Sequence, residues 1–347
     1  MGDIGRLGNA RTPPVRSDAA VPGAITMRGM NTPIPLLAIH GGAGTILRQT
    51  TSHESEQAYL QALLDIIRAG EALLAEGAPA LDVVEACVRL LEENERFNAG
   101  RGAVYTEAAT HELDASIMEG HSRRAGAVAG LRTTRNPVRA ARAVMESSGH
   151  VMLIGPAADA FAAAQGLEQV SPDWFGTPER LAQLRRVQGE GGAARLDHDS
   201  AQRQAPLDER SKFGTVGAVA LDARGRLAAA TSTGGMTNKK AGRVGDSPIL
   251  GAGCYADDTV AVSCTGTGEA FMRSVAAHEL SAQMRYLGRS LEAACEDVVG
   301  ARLPAVGGQG GLIAISHQGE LCLPFNTEGM YRGWVRLGEA PQARIFR

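Results

Sequence analysis

Residues 214–233 read Gly214-Thr215-Val216-Gly217-Ala218-Val219-Ala220-Leu221-Asp222-Ala223-Arg224-Gly225-Arg226-Leu227-Ala228-Ala229-Ala230-Thr231-Ser232-Thr233. Two runs of small and β-branched residues flank Asp-Ala-Arg-Gly, a pattern that predicts a hairpin with strands at 215–221 and 226–233. The stretch before it, about 188–212, is polar, contains Gly and Pro and lacks apolar periodicity. An exposed linker is expected there, and a structureless stretch of that length inside a compact protein is usually functional or disordered.

Working outward, Pro35–His40 is an apolar run that ends at Gly41-Gly42-Ala43-Gly44, read as a buried strand entering a tight turn. Helices are expected over about 54–76 and from about 80, where Val84, Cys87, Val88 and Leu91 fall on one face. A glycine-punctuated loop, Phe97–Val104, follows. Strands fit 112–118, 125–130 and 151–154, with helices after Asn136-Pro137 and from 156; proline suits the first helical position. Further strands fit 258–264, 311–316 and 320–324, and helices fit about 268–286 and 290–302. Strands come in runs and helices come in runs, which predicts a layered α+β or αββα protein rather than an alternating parallel sheet.

The chain has 347 residues, 35 Lys+Arg against 38 Asp+Glu, and 44% hydrophobic residues, enough to bury a large core. A formal charge of −3 argues against a general phosphate-binding surface, and 4% aromatics leave little for base stacking. Neither a nucleic-acid partner nor a membrane span is expected, since no apolar run approaches the length that a span requires. Residues 1–33 lack the apolar stretch of a secretory signal and read as a disordered extension, so a cytoplasmic location is expected. The cysteines, Cys87, Cys254, Cys264, Cys295 and Cys322, form no CxxC pair, and their odd number fits reduced core thiols.

Several simple motifs are missing: HExxH, GxxxxGK[ST], GxSxG and paired Cys–His spacings. HGGAG (40–44) offers a nucleotide-binding alternative, but without GxGxxG spacing it reads better as close backbone packing. Asp197-His198-Asp199 lies in the polar linker, where a solvated loop is the simpler reading. Asp82, Glu85, Glu92 and Glu93 read as the solvated face of a helix, and His111 and His278 as ordinary half-buried histidines. More informative are Thr231-Ser232-Thr233-Gly234-Gly235 and Thr265-Gly266-Thr267-Gly268-Glu269, with Gly242-Arg243-Val244-Gly245-Asp246-Ser247-Pro248 between them. A nucleophilic hydroxyl needs a base, and an N-terminal threonine carries one in its own α-amine. Glycines beside threonine let N–H groups face a developing oxyanion. Arg and Asp three residues apart can hold the carboxylate and ammonium of an amino acid. Thr-Gly pairs are also ordinary turn residues, and nothing in these clusters alone makes Thr215 an N-terminus.

LLAIHGGAGT (36–45), FNAGRGAV (97–104), HELDASIM (111–118), GAVAG (126–130), GTVGAVALD (214–222), TSTGGMTNK (231–239), GRVGDSP (242–248), GAGCYAD (251–257), SCTGTGE (263–269) and PFNTEGMYR (324–332) together resemble the plant-type L-asparaginase and isoaspartyl-peptidase family of N-terminal-nucleophile hydrolases. The resemblance spans about residues 34–335. It implies one composite domain, a four-layer αββα sandwich, that cleaves itself between Gly214 and Thr215 into an α subunit (34–214) and a β subunit (215–347). It implies that Thr215 is the nucleophile, Thr233 orients it, Thr265 and Gly266 form the oxyanion hole, and Asn98 gives polar support. Arg243 and Asp246 would hold the aspartyl carboxylate and amine, with Thr265, Gly266 and Gly268 lining the same site. Carbonyls of Leu91, Glu92, Asn94, Phe97, Ala99 and Arg101 match the family's sodium loop; no cofactor is implied for catalysis. The implied substrates are L-asparagine and β-aspartyl dipeptides, and the implied assembly is a homodimer of αβ units. Phe213 stands where the family often has histidine, which leaves the cleavage rate open. A glycosylasparaginase-like amidohydrolase is the neighbouring alternative within the family.

Overall fold

The computed structural model describes residues 33–189 and 214–347. The polar stretch expected to be a linker therefore lies almost wholly outside the described residues, as do residues 1–32 and Asp197-His198-Asp199. Residues 188 and 189 end a helix. Thr32–Arg347 forms one compact unit.

The hairpin is present as β5 (Val216–Leu221) and β6 (Leu227–Thr233), joined by a turn in which Asp222 Oδ1 accepts from the Arg224 and Arg226 amides. It occupies the middle of an eight-stranded sheet. Beside it run β1 (Leu36–Gly44), β2 (Leu113–Glu119), β3 (Ala125–Leu131), β4 (Met152–Ile154), β11 (Gly329–Arg336) and β12 (Gln342–Phe346). The order is β12-β11-β1-β5-β6-β2-β3-β4. A second sheet contains β7 (Cys254–Ala256), β8 (Val260–Gly266), β9 (Gly310–Ser316) and β10 (Leu321–Cys322) in the order β10-β9-β8-β7.

Side-chain alternation explains the packing, because successive strand residues face opposite ways. Leu37, Ile39, Val216, Ala218, Ala220, Ala228 and Ala230 face α1 (His53–Ala75), α2 (Ala80–Glu92) and α3 (Pro137–Ser147). Their neighbours Leu36, Ala38, Val219, Leu221, Leu227 and Ala229 meet Ala261, Ile313 and Ile315 of the second sheet. Val260, Val262, Leu312 and Ala314 turn outward against α7 (Ala276–Leu287) and α8 (Leu291–Glu296). Both sheets are therefore covered on each side, which is why their strands read as nearly unbroken small-apolar runs.

Four expectations need correcting. HGGAG is not a turn: it continues β1, with a bulge between His40 and Gly42 where it pairs with β11. The helix expected over 268–286 is broken at Val275, whose left-handed φ of 48° separates α6 (Gly268–Ser274) from α7. The helix expected over 290–302 changes at Asp297 into a wider π-helical turn ending at Arg302. α4 (Gly155–Ala164) starts one residue earlier than expected, and β7, β11, β12 and α5 (Pro178–Gly189) were not anticipated.

Candidate active site

Antiparallel pairing of Val216 with Ser232 sets Thr215 opposite Thr233, at the end of the hairpin where β5 begins and β6 stops. The Thr215 hydroxyl donates to Thr233 Oγ1 at 3.1 Å. Thr233 Oγ1 also accepts from the Gly235 amide at 3.0 Å, which fixes the acceptor. Ser247 Oγ lies 3.5 Å from Thr215 Oγ1 and was not anticipated as a neighbour. Its segment is held by the Ser116 hydroxyl, which donates to the Ser247 carbonyl at 2.6 Å.

β1 parts from β5 after the His40–Gly217 pair, and the gap is filled by the residue preceding Thr215. Gly42 has φ +114°, and a Cβ built on it would come within 2.6 Å of Gly214 N and 2.8 Å of Gly214 Cα. Only glycine combines that backbone with so close an approach. Gly41 is likewise closed off by the Phe97 ring. HGGAG is thus buried strand packed on Gly214, with no open cradle for phosphate, and the nucleotide-binding alternative has no site here. Below it, His40 Nε2 lies 2.8 Å from Ser263 Oγ, which is 2.7 Å from Thr231 Oγ1, and burial pushes the His40 imidazole down to about 3, so it is neutral.

Thr215, Thr233, Gly235, Met236, Arg243, Gly245, Asp246, Ser247 and Gly266 line one pocket with Gly214, about 350 Å³ measured to its open mouth. Arg243 Nη2 and Asp246 Oδ1 each lie 2.9 Å from the point where a Cβ on Gly268 would stand, so at most twice that distance separates them. Asp246 is buried, its Oδ2 has no hydrogen-bond partner among the described residues, and burial pushes its carboxyl up to about 7 against the opposing pull of Arg243. An unpartnered buried carboxylate oxygen is costly unless a cation completes it. Thr265 is also buried, its Oγ1 accepting from the Ala43 amide at 3.3 Å; of the expected Thr265–Gly266 pair, Gly266 is the one in the pocket lining.

Asn98 does not touch Thr215. Its Nδ2 donates to the Gly235 carbonyl at 2.8 Å and its Oδ1 accepts from the Val104 amide at 2.9 Å. It ties the 97–104 loop to the turn that holds Thr233, so its link to Thr215 runs through that turn.

The loop carrying Arg243 hangs on β2 through residues not anticipated as part of the site. Glu112 takes Arg132 at 2.6 Å and the Gly242 amide at 2.7 Å, and the Glu112 carbonyl accepts from Lys239 Nζ at 2.7 Å. Burial lowers the Lys239 ammonium and raises the Asp114 carboxyl, and each of these two groups partly offsets the shift of the other. A second correction concerns Glu92, which is not solvated. It is fully buried, its Oε1 accepts from Ser232 at 2.7 Å and the Val138 amide at 2.9 Å, and burial pushes its carboxyl up to about 8. Glu85 and Asp82 of α2 face Arg142 of α3 in ion pairs between the helices, and Glu93, just past α2, pairs with Arg135, just before α3. His111 is buried rather than half-buried, with Nδ1 3.1 Å from the Val104 carbonyl.

Around 91–102 the main chain turns back on itself: the Arg101 amide donates to the Glu92 carbonyl at 2.7 Å and the Phe97 amide to the Asn94 carbonyl at 3.0 Å. Side chains on Gly100 and Gly102 would collide with the carbonyls of Glu92, Glu95 and Phe97, so several carbonyl oxygens crowd into a small space. Among the described residues no cluster of three or more His, Cys, Asp or Glu could hold a metal.

A pair of hydrogen-bonded hydroxyls and a cation–carboxylate pair at amino-acid spacing thus share one pocket. Residues 33–345 match a family model described as Asparaginase, and the chain belongs to that family. An isoaspartyl peptidase of Escherichia coli is 58% identical over 313 residues, covering 90% of this chain and 96% of that one. One of Salmonella typhimurium is 57% identical, covering 90% and 98%. The human isoaspartyl peptidase/L-asparaginase is 38% identical over 298 residues, covering 85% and 91%. No helix among the described residues is long and apolar enough to cross a membrane.

Proposed function

We propose that this chain is an isoaspartyl peptidase with L-asparaginase activity that hydrolyses the side-chain amide of an N-terminal aspartyl group, using Thr215 as nucleophile. The observation that carries this reading is the Thr215–Thr233 hydroxyl pair in one pocket with Arg243 and the unpartnered Asp246 carboxylate. Scission at Gly214–Thr215 exposes an α-amine whose ordinary pKa near 8 suits a general base. The Thr215 hydroxyl loses its proton to that amine as Oγ attacks the side-chain carbonyl of the substrate. The resulting oxyanion takes the Thr265 hydroxyl proton and the Gly266 amide as donors, each worth about 3 kcal/mol of barrier by comparison with known oxyanion holes. The amine returns its proton to the leaving nitrogen, and ammonia or an amino acid departs. Water, activated by the same amine, then hydrolyses the β-aspartyl ester and restores Thr215. Arg243 takes the α-carboxylate of the substrate bidentately and Asp246 takes its ammonium.

Three apolar layers between the helices and the two sheets support the four-layer αββα arrangement. The crowded main-chain oxygens at 91–101 fit a hard monovalent cation such as sodium, whose preferred donors are oxygens. Carbonyls of Leu91, Glu92, Asn94, Phe97, Ala99 and Arg101 would hold it, and its effect would be to stiffen the loop that carries Asn98. A dimer of αβ units remains part of the proposal and is checked by light scattering.

The test is intact mass spectrometry over a day at neutral pH, followed by assays on a β-aspartyl dipeptide and L-asparagine. The 36.2 kDa chain, divided in proportion to length, gives about 22 and about 14 kDa, the smaller species beginning at Thr215. Thr215→Ala stays whole and inactive. Two fragments from that variant, or amidase activity from an intact chain, would sink the nucleophile.

A further inference from the structure

We propose that Glu269 is a positioning residue for substrate: its carboxylate takes one fork of Arg243 and so leaves the other aimed at the substrate's α-carboxylate. This rests on the reading of Arg243 given above and specifies how that clamp is held.

Arg243 donates from Nε to Glu269 Oε1 and from Nη2 to Glu269 Oε2, both at 2.9 Å, a side-on bidentate pair. A guanidinium carries five N–H donors in one plane. The side-on pair uses two of them and leaves the two on Nη1 and the second on Nη2, the end-on fork that matches another carboxylate. That fork lies over glycine. Nη1 stands 2.9 Å from where a Cβ on Gly245 would be, and Nη2 stands 2.9 Å from one on Gly268. The Gly268 point is also 2.9 Å from Asp246 Oδ1, so the free fork and the ammonium acceptor meet at the same small surface. Glu269 follows Gly268 directly in the first turn of α6, so the backbone that shapes the pocket also fixes the anchor of its arginine.

Charge and position predict opposite effects. As a mere negative charge, Glu269 repels the substrate carboxylate, and its removal lowers KM. As an anchor it holds a long, flexible side chain in its binding pose, and its removal raises KM without touching the reacting atoms.

The experiment measures kcat and KM for L-asparagine and for a β-aspartyl dipeptide in Glu269→Gln, Glu269→Ala, Arg243→Ala and the double variant Arg243→Ala/Glu269→Ala, each first verified by mass to have cleaved. Glu269→Ala raises KM about fivefold, the upper range for a half-exposed ion pair, with kcat held within about twofold. Glu269→Gln, which keeps one acceptor, lies between. The shift is equal for both substrates, which share the aspartyl half, and the inhibition constant for L-aspartate rises in parallel. In the Arg243→Ala background the Glu269 change has no further effect. A lowered or unchanged KM, or an equal effect without Arg243, overturns the proposal. An unchanged KM in Arg243→Ala alone is a different result and sinks the clamp itself.

Discussion

Gly42→Ala isolates what the β1 bulge does for the bond between Gly214 and Thr215. The added methyl would stand 2.6 Å from Gly214 N, 2.8 Å from Cα and 3.0 Å from the carbonyl carbon, where ordinary contact begins at 3.4 Å. Backbone bounds both sides of this contact, so one of the two must retreat by the shortfall of about 0.8 Å. The φ of +114° adds strain for any residue with a Cβ, about 1–3 kcal/mol. A displacement near 1 Å at a reacting bond costs about a hundredfold in rate, so conversion of the 36.2 kDa chain into two fragments slows by about that factor. Gly77→Ala is the control: its φ is +79° and nothing lies within 4 Å of the added Cβ, so it suffers the strain without the collision. Conversion is followed by electrophoresis from a freshly synthesised chain, with melting temperature measured on both variants. Both melt lower, Gly42→Ala by more because it adds the collision to the strain, and only Gly42→Ala cleaves slowly. Wild-type conversion in Gly42→Ala, or equal slowing in the control, would refute the argument.

Asp246→Asn couples function to stability in opposite directions. The folded-state pKa of Asp246, about 7, exceeds its ordinary 3.8, so its contribution to stability is complete below the lower value and is lost as pH rises through the upper one. The asparagine variant therefore melts progressively higher than wild type between pH 4 and 8, by an amount on the order of a few kcal/mol at the top, while its KM rises sharply. In wild type, 1/KM falls as pH drops below about 7, because the neutral acid cannot pair with an ammonium. A KM that stays level from pH 8 to about 5.5 would contradict this assignment. Thr233→Val removes the acceptor of the Thr215 hydroxyl and slows both cleavage and turnover about a hundredfold. Thr233→Ser keeps the acceptor and stays within about tenfold of wild type; equal rates for Ser and Val would show the hydroxyl to be irrelevant.

The hairpin, the strand through Pro35–His40 and the amphipathic helices α1 and α2 were legible because their patterns are local, whereas the continuation of that strand through HGGAG was not. Thr233, Arg243, Asp246 and Gly266 were legible as clusters, and the structure brings them into one pocket with Thr215. The left-handed Val275 carries no local signal, since a β-branched residue is a poor choice for that conformation. β7 is a three-residue strand, too short for any periodicity, and α5 buries only Arg180, Gln183, Leu184 and Val187. Glu92 had a signal that was passed over: it lies four residues after Val88, on the buried stripe of α2 rather than its outer face. Asn98 could be identified as polar support, but its partners Gly235 and Val104 could not, because loop-to-loop contacts have no period in the sequence.

The strand order has a consequence for what the proposed cut between Gly214 and Thr215 would do to the molecule. β1 precedes Thr215 in the chain, yet it lies between β5 and β11, which both follow it, and β2 pairs with β6 in the same way. The proposed scission would therefore leave two polypeptides interleaved in one sheet, unable to part without dismantling its centre. Before the cut, closing those ladders is an intramolecular event whose entropy cost is set by loop length. After it, the same ladders must be found by two separate chains, at a rate that depends on concentration. The uncut Thr215→Ala protein should recover its fold after heating and cooling, whereas the mature enzyme would not. Its durability would then be a matter of how slowly it unfolds, not of how stable it is at equilibrium.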